Sequence, residues 1–168
     1  MPETVSKPVY LVDPYSDPVL VRIEGRASFQ NSACLRDFIA EMTKQGKTRF
    51  VVDLRHCTSM DSTFLGVLAG VALDLRKTKG GALVAARVGP RNLELIRNLG
   101  LHRLLTVDSD APLSFENCNT PLDCPDRGEL ENARLVLEAH ENLVEADENN
   151  RPKFQDVLVF LKSRIDAP

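Results

Sequence analysis

Residues 49–66 decide the fold, and they read Arg-Phe-Val-Val-Asp-Leu-Arg-His-Cys-Thr-Ser-Met-Asp-Ser-Thr-Phe-Leu-Gly. The mostly apolar first seven residues predict a buried central β-strand over 49–55. A loop is predicted over 56–61, and apolar residues at helical spacing predict a long helix from Ser62 to Lys79. A buried strand that leads through a loop into a helix is the repeating unit of α/β domains.

The flanking sequence extends this pattern in both directions. Two short β-rich runs separated by Ser-Asp-Pro turn chemistry predict an antiparallel hairpin at 8–14 and 19–25. A helix that stops at Gly46 comes before the central strand, and a strand, a helix and a short strand follow over 82–107. Residues 1–107 therefore read ββαβαβαβ, which predicts an α/β fold with a mixed, mainly parallel sheet covered by helices.

The C-terminal third has a different character. Residues 108–128 are rich in proline and small polar residues, which predicts an irregular connector. Amphipathic stripes over 129–147 and 153–165 predict an αα-hairpin. We therefore divide the chain into a domain over 1–107, a connector over 108–128 and a helical extension over 129–168. The hairpin cannot bury the apolar faces of both its helices by itself. It must therefore pack on the sheet domain permanently, cover the basic body only when no partner is bound, or form a homodimer.

Composition excludes several functional classes. No stretch approaches the roughly 20 apolar residues of a membrane-spanning helix, and the N-terminus lacks a signal-peptide pattern, so we expect no membrane association and a cytoplasmic location. Residues 1–107 carry 15 Lys/Arg against 10 Asp/Glu, whereas residues 108–168 carry 6 against 14. The basic residues are scattered without aromatic interleaving, which argues against nucleic-acid binding. The asymmetry suggests an acidic appendage that lies against a basic body.

The four cysteines, Cys34, Cys57, Cys118 and Cys124, do not form a zinc motif. We expect reduced thiols in or near the core and no metal site. The chain lacks GxxxxGK[ST] and GxGxxG motifs, so no nucleotide or other cofactor is predicted.

The junction between the central strand and its helix is the candidate site. Asp61 is predicted to be the helix N-cap, which leaves Ser62 at the first helical position with its hydroxyl facing solvent or the loop. A phosphate on Ser62 would meet free backbone N–H groups and the positive end of the helix dipole, and it would add nearly two negative charges.

The junction also resembles the STAS family, the domain of bacterial anti-sigma factor antagonists and of sulfate-transporter tails. The family pattern is a strand ending in Asp-Leu, a short polar loop, then Met/Ile-Asp-Ser-Ser/Thr-Gly-Leu-Gly and a helix. Here Val52-Asp53-Leu54 is followed by Met60-Asp61-Ser62-Thr63-Phe64-Leu65-Gly66, and residues 79–84, 92–101 and 104–107 match the later segments. The resemblance covers about residues 8–107.

The resemblance implies a regulatory protein-binding module and no enzyme activity. It implies that Ser62 is the phosphoacceptor, with Thr63 as second choice, and that the partner is an anti-sigma factor serine kinase or a related regulatory protein. The implied partner surface also includes the exposed face of the helix after Ser62. Its loop residues are Thr58, Ser59, Met60, Asp61, Ser62, Thr63 and Phe64.

Phe64 departs from the family pattern, which has glycine there. We interpret it as core filler, and the alternative is that its ring projects into the partner surface. The alternative function is a scaffold or structural subunit that keeps the fold and has lost the switch. His56 could suggest a Ser–His–Asp hydrolase, but the chain has no GxSxG motif. His102 and His140 are interpreted as surface or packing histidines, and Asp53 as a strand-terminal hydrogen-bonding group.

Overall fold

A computed structural model describes residues 9–108 and 113–166. Its centre is a six-stranded sheet in the order β5-β4-β3-β2-β1-β6. The strands are β1 (Tyr10–Asp13), β2 (Val19–Ala27), β3 (Arg49–Met60), β4 (Ala82–Ala86), β5 (Thr106–Asp108) and β6 (Thr120–Pro121). β2, β3, β4 and β5 pair in parallel, whereas β1 is antiparallel to both β2 and β6.

Within residues 9–108 and 113–166, five α-helices connect and follow the strands. They are α1 (Ser32–Lys44), α2 (Ser62–Arg76), α3 (Pro90–Asn98), α4 (Glu129–Ala146) and α5 (Arg151–Ile165). Short 3₁₀ turns occur at Leu101–Arg103 and Glu148–Asn150, and the second of these joins α4 to α5. The predicted class, a mixed and mainly parallel α/β sheet followed by a C-terminal αα-hairpin, is confirmed.

The two faces of the sheet are covered differently. Val21, Val52 and other side chains of one face pack with α1, α2 and α3 in the main hydrophobic core. On the other face, Leu20 and Val51 pack under Phe115 and Cys118 of the connector. The irregular connector therefore has a structural role, because it covers part of one face of the sheet and adds β6 to its edge.

Strand β3 is longer than the sequence predicted. The expected loop over 56–61 is wrong, since β3 continues to Met60 and pairs with β2 through Gly25↔Cys57 and Ala27↔Met60. Two register shifts interrupt this pairing, which disturbs the alternation of buried and exposed residues that normally marks a strand. The polar residues at 56, 58 and 59 also made this part of the sequence look like a loop.

Within the described ranges, none of the helices combines the length and the apolar character needed to cross a bilayer.

Candidate functional site

Asp61 is the only residue between β3 and α2, and it fixes the geometry of the junction. Its Oδ1 accepts a hydrogen bond from the backbone N–H of Phe64 at 2.8 Å, so the predicted N-cap is confirmed. Its Oδ2 accepts from the backbone N–H of Phe29 at 2.8 Å. One carboxylate therefore joins the start of α2 to the turn before α1 and leaves the next residue, Ser62, in a defined orientation.

The seven predicted partner-surface residues differ in exposure. Thr58 is exposed, and Ser59, Asp61 and Ser62 are partly exposed. Met60, Thr63 and Phe64 are buried. Phe64 has no exposed surface and belongs to the main core, which confirms its interpretation as core filler. The hydroxyl-bearing residues of the junction that are at least partly exposed are therefore Thr58, Ser59 and Ser62, whereas Thr63 is only 4% exposed.

The Ser62 hydroxyl has a partner that the sequence analysis did not identify. Its Oγ lies 2.9 Å from Nε2 of His140 on α4. The other ring nitrogen, Nδ1, lies 2.6 Å from the backbone oxygen of Val136. Because a carbonyl oxygen can only accept, Nδ1 of the neutral ring carries the proton, and Nε2 accepts from the Ser62 hydroxyl.

His140 is itself held firmly in place. It is 4% exposed, and its ring meets the ring of Phe154 on α5 edge-on at a centroid distance of 4.9 Å. The interpretation of His140 as a packing residue therefore describes only part of its role. No local signal could have revealed its contact with Ser62, since 78 residues separate the two.

The hairpin reaches Ser62 because α4 packs along α2. The Asn142 side chain donates a hydrogen bond to the backbone oxygen of Gly66 at 3.2 Å. A Cβ at Gly66 would lie 2.1 Å from the backbone oxygen of Ala139, so the missing side chain permits this approach. The face of α2 that was expected to be exposed is smaller than predicted, because ten of the helix's fifteen residues are buried and only Asp74 and Arg76 are exposed.

The hairpin is anchored at a second point, where α4 turns into α5. Asn150 is fully buried, and its Nδ2 donates to the backbone oxygens of Leu99 at 2.9 Å and Leu143 at 2.8 Å. Leu143 of α4 has no exposed surface and belongs to the main core. An ion pair of 3.2 Å between Arg36 of α1 and Glu138 of α4 adds a contact between the basic body and the acidic extension.

A surface hollow of about 420 Å³ lies beside Ser62. Most of its lining is apolar, including Met60, Leu65 and Phe154, and Lys153 of α5 also borders it. The Lys153 ammonium donates to the backbone oxygen of Asn98 at 2.7 Å. Ser62 thus faces a small open space whose border carries a positive charge.

Asp53 and His56, the other polar candidates of β3, differ in environment. Asp53 is fully buried, and its carboxylate pairs with the Arg87 guanidinium, with 2.9 Å between Oδ1 and Nε. This hydrogen bond raises the pKa of Arg87. Asp53 is therefore an internal ion-pair partner, whereas His56 is exposed.

The cysteine prediction is wrong for one pair. Cys34 at the start of α1 and Cys124 in the connector form a disulfide bond, with 5.2 Å between their Cα atoms. Cys57 and Cys118 are free and buried. The 90-residue separation of the bonded pair explains why spacing motifs did not reveal it. Among the residues the structure describes, no group of three or more His, Cys, Asp or Glu could hold a metal ion.

Three solved structures that are similar to this chain are a proposed anti-sigma factor antagonist and two forms of the anti-sigma factor antagonist SpoIIAA. A proposed antagonist from Thermotoga maritima is 16% identical, with a TM-score of 0.49, over 59% of this chain and 83% of that one. Unphosphorylated SpoIIAA is 17% identical, with a TM-score of 0.47, over 52% and 81% of the two chains. Phosphorylated Bacillus SpoIIAA is 17% identical, with a TM-score of 0.48, over 58% and 89%.

A family model described as "Mlab, STAS domain" matches residues 12–106. The match runs from β1 into β5 and includes the whole junction around Ser62. Because it spans more than half of the 168 residues, the chain belongs to the STAS domain family.

Proposed function

We propose that this chain is a regulatory protein-binding module that resembles an anti-sigma factor antagonist and is switched by phosphorylation of Ser62. The observation that carries the proposal is the position of the Ser62 hydroxyl. Ser62 is partly exposed at the first position of α2 and borders an open hollow, and its hydroxyl makes a hydrogen bond to the C-terminal hairpin. A phosphate at this position changes the charge, the shape and an internal contact of one small surface.

The proposed partner is an anti-sigma factor serine kinase or a related regulatory protein. Its docking surface is centred on the exposed part of the junction, at Thr58, Ser59 and Ser62. The buried face of α2 is excluded from this surface, because α4 covers it. In this proposal the chain binds other proteins and catalyses no reaction.

Two measurements test the proposal. Protein isolated from its own cells under phosphatase inhibition is mapped by mass spectrometry, and we expect phosphate on Ser62. Purified protein is then incubated with the cognate kinase and ATP, with Ser62→Ala as the test variant and Ser59→Ala as the matched control. Phosphate outside residues 59–63 in both experiments would contradict the proposal, as would phosphorylation that leaves kinase binding unchanged.

A second candidate is a STAS-fold scaffold or structural subunit that has lost the switch. It is favoured by the packing of the hairpin, since Leu143 lies in the main core and Asn150 is fully buried. This candidate predicts that Ser62 is never phosphorylated and that Ser62→Ala leaves partner binding intact. The same mapping experiment therefore separates the two candidates.

A homodimer formed through the hairpin remains a prediction. Val159 and Phe160 of α5 are each 62% exposed, which provides an apolar surface for such a contact. We expect Phe160→Ser to shift the protein from dimer to monomer in sedimentation, with the exposed Lys162→Ser as control. A monomeric wild-type protein at the highest soluble concentration would exclude the dimer.

A further inference from the structure

We infer that the C-terminal hairpin binds the phosphate of phosphorylated Ser62 within the same chain, through His140 of α4 and Lys153 of α5. The inference rests on the proposed function, because it concerns the phosphorylated state of that site. It reverses the simple expectation that a phosphate on Ser62 would push neighbouring elements away. Both residues lie outside the segment that matches the family model.

His140 is already directed at the atom that would carry the phosphate. Its Nε2 lies 2.9 Å from Ser62 Oγ, and the ring is held by the Val136 carbonyl and by Phe154. In the kinase reaction, Ser62 Oγ forms a bond to the γ-phosphorus of ATP, and the bond between that phosphorus and the ADP oxygen breaks. The hydroxyl proton passes to Nε2 of His140. The resulting imidazolium then donates to a phosphate oxygen in a charge-assisted hydrogen bond.

The hollow beside Ser62 gives the phosphate a place to lie. It is open to solvent and borders the Ser62 side chain, so the added group does not have to enter the core. Lys153 borders the same hollow and is exposed, with its ammonium held at Asn98. The flexible four-carbon stem allows the ammonium to leave this carbonyl and approach a phosphate oxygen.

The main opposing charge is that of Asp61, the residue before Ser62. Both of its carboxylate oxygens accept hydrogen bonds from backbone N–H groups, those of Phe29 and Phe64. These bonds compensate part of its charge and fix it at the cap. A phosphate therefore faces one carboxylate whose charge is partly compensated, two cationic side chains and the positive end of the α2 dipole. The balance favours attraction.

The consequence concerns the hairpin as a whole. Both cationic groups belong to the hairpin, whereas the phosphate belongs to the STAS domain. Phosphorylation therefore adds charge-assisted contacts from α2 to both helices of the hairpin, α4 and α5, and stabilises the hairpin in place. The phosphate also fills the hollow, which withdraws that surface from a protein partner.

The test compares full-length protein carrying phosphoserine at position 62, installed during translation, with unmodified protein. We expect the phosphate to raise the midpoint of thermal unfolding by about 3 to 6 °C and to slow amide hydrogen exchange in α4 and α5. Phosphoserine at the exposed Ser114 is the matched control and should have neither effect. Because His140 is buried, the deciding variant is Lys153→Met at an exposed position, which should lose at least half of the gain.

Three results would overturn the inference. The first is an unchanged or lowered midpoint with phosphoserine at 62, and the second is faster exchange in the hairpin. The third is a full gain in Lys153→Met, which would show that Lys153 does not bind the phosphate. Since the phosphate is installed without a kinase, these results are independent of whether Ser62 is phosphorylated in cells, which tests the proposed function separately.

Discussion

Gly66 offers a sharp test of the packing between α2 and α4. A Cβ at this position would lie 2.1 Å from the backbone oxygen of Ala139, 2.5 Å from its carbonyl carbon and 2.7 Å from its Cβ. Two of these three atoms belong to the α4 backbone and cannot rotate away. Gly66→Ala therefore requires the two helices to separate, which also lengthens the Asn142 hydrogen bond to the Gly66 oxygen.

Two opposing effects set the magnitude. Alanine is preferred to glycine in a helix interior by about 1 kcal/mol, so helix propensity alone predicts that Gly66→Ala stabilises the protein. Overpacking usually costs about 1 to 3 kcal/mol, and a contact with backbone atoms belongs at the upper end. We expect a net loss of about 1 to 2 kcal/mol in the free energy of unfolding, which corresponds to a midpoint lowered by about 2 to 8 °C.

Gly70→Ala is the matched control, one turn further along the same helix. Its Cβ would meet the Nδ2 of Asn142 at 2.4 Å, and that atom is the end of a side chain that can rotate. The loss of the Asn142 hydrogen bond, worth about 1 kcal/mol, is offset by the gain in helix propensity. The assay is denaturant unfolding with hydrogen exchange in α4. If Gly66→Ala is as stable as Gly70→Ala, or more stable than wild type, α4 does not lie on α2 as described.

Three further predictions concern the cysteines and Asn150. Alkylation of the denatured, unreduced protein should label Cys57 and Cys118 but not Cys34 or Cys124, and labelling of all four thiols would exclude the bond. Replacing both bonded cysteines by serine should lower the free energy of unfolding by about 4 to 5 kcal/mol. Burial raises the pKa of Cys57 and of Cys118 from 9.0 to about 11. Because the same thiols ionise near pH 9 in the unfolded chain, the denaturant concentration at the unfolding midpoint should decrease as the pH is raised from 9 to 11. The decrease should be smaller in the variant that has alanine at both positions. A flat midpoint over that range would show that these thiols titrate normally. Asn150→Leu should cost about 1 to 3 kcal/mol in the same assay, because it removes the side-chain hydrogen bond to the backbone oxygen of Leu99, whereas the oxygen of Leu143 keeps its bond from the Asp147 N–H. An unchanged midpoint would mean that water replaces the amide.

Local patterns predicted the parts of the molecule that local forces determine. In β2, the apolar residues Val19, Val21 and Ile23 occupy alternate positions of the sequence, and all three have no exposed surface. The N-cap at Asp61 was also predictable, because its partner lies three residues away. The hydrophobic effect and capping act at short sequence separation in these cases, so the sequence alone carries enough information.

Contacts between distant segments were not predictable in the same way. The contact between Ser62 and His140 and the bond between Cys34 and Cys124 each depend on where the connector leads the chain. The two-residue strand β6 lacks the length needed for a periodic signal. Each of these features depends on tertiary packing, which neither spacing nor composition specifies.

One long-range feature did have a signal in the sequence. The helix α2 has apolar residues of its own on every side, and a helix with this pattern has to be buried on all sides. The sheet covers only one side of such a helix. The C-terminal hairpin carries apolar stripes that need a surface, and Gly66 and Gly70, four residues apart, let another helix approach α2 closely. The uncovered apolar side of α2 and the apolar stripes of the hairpin can bury each other. The burial of α2 and the position of the hairpin therefore follow from the same need to remove apolar surface from water. The same requirement brings His140 to Ser62, and it therefore gives the phosphoacceptor candidate of this chain a neighbour from outside the segment that matches the STAS family model.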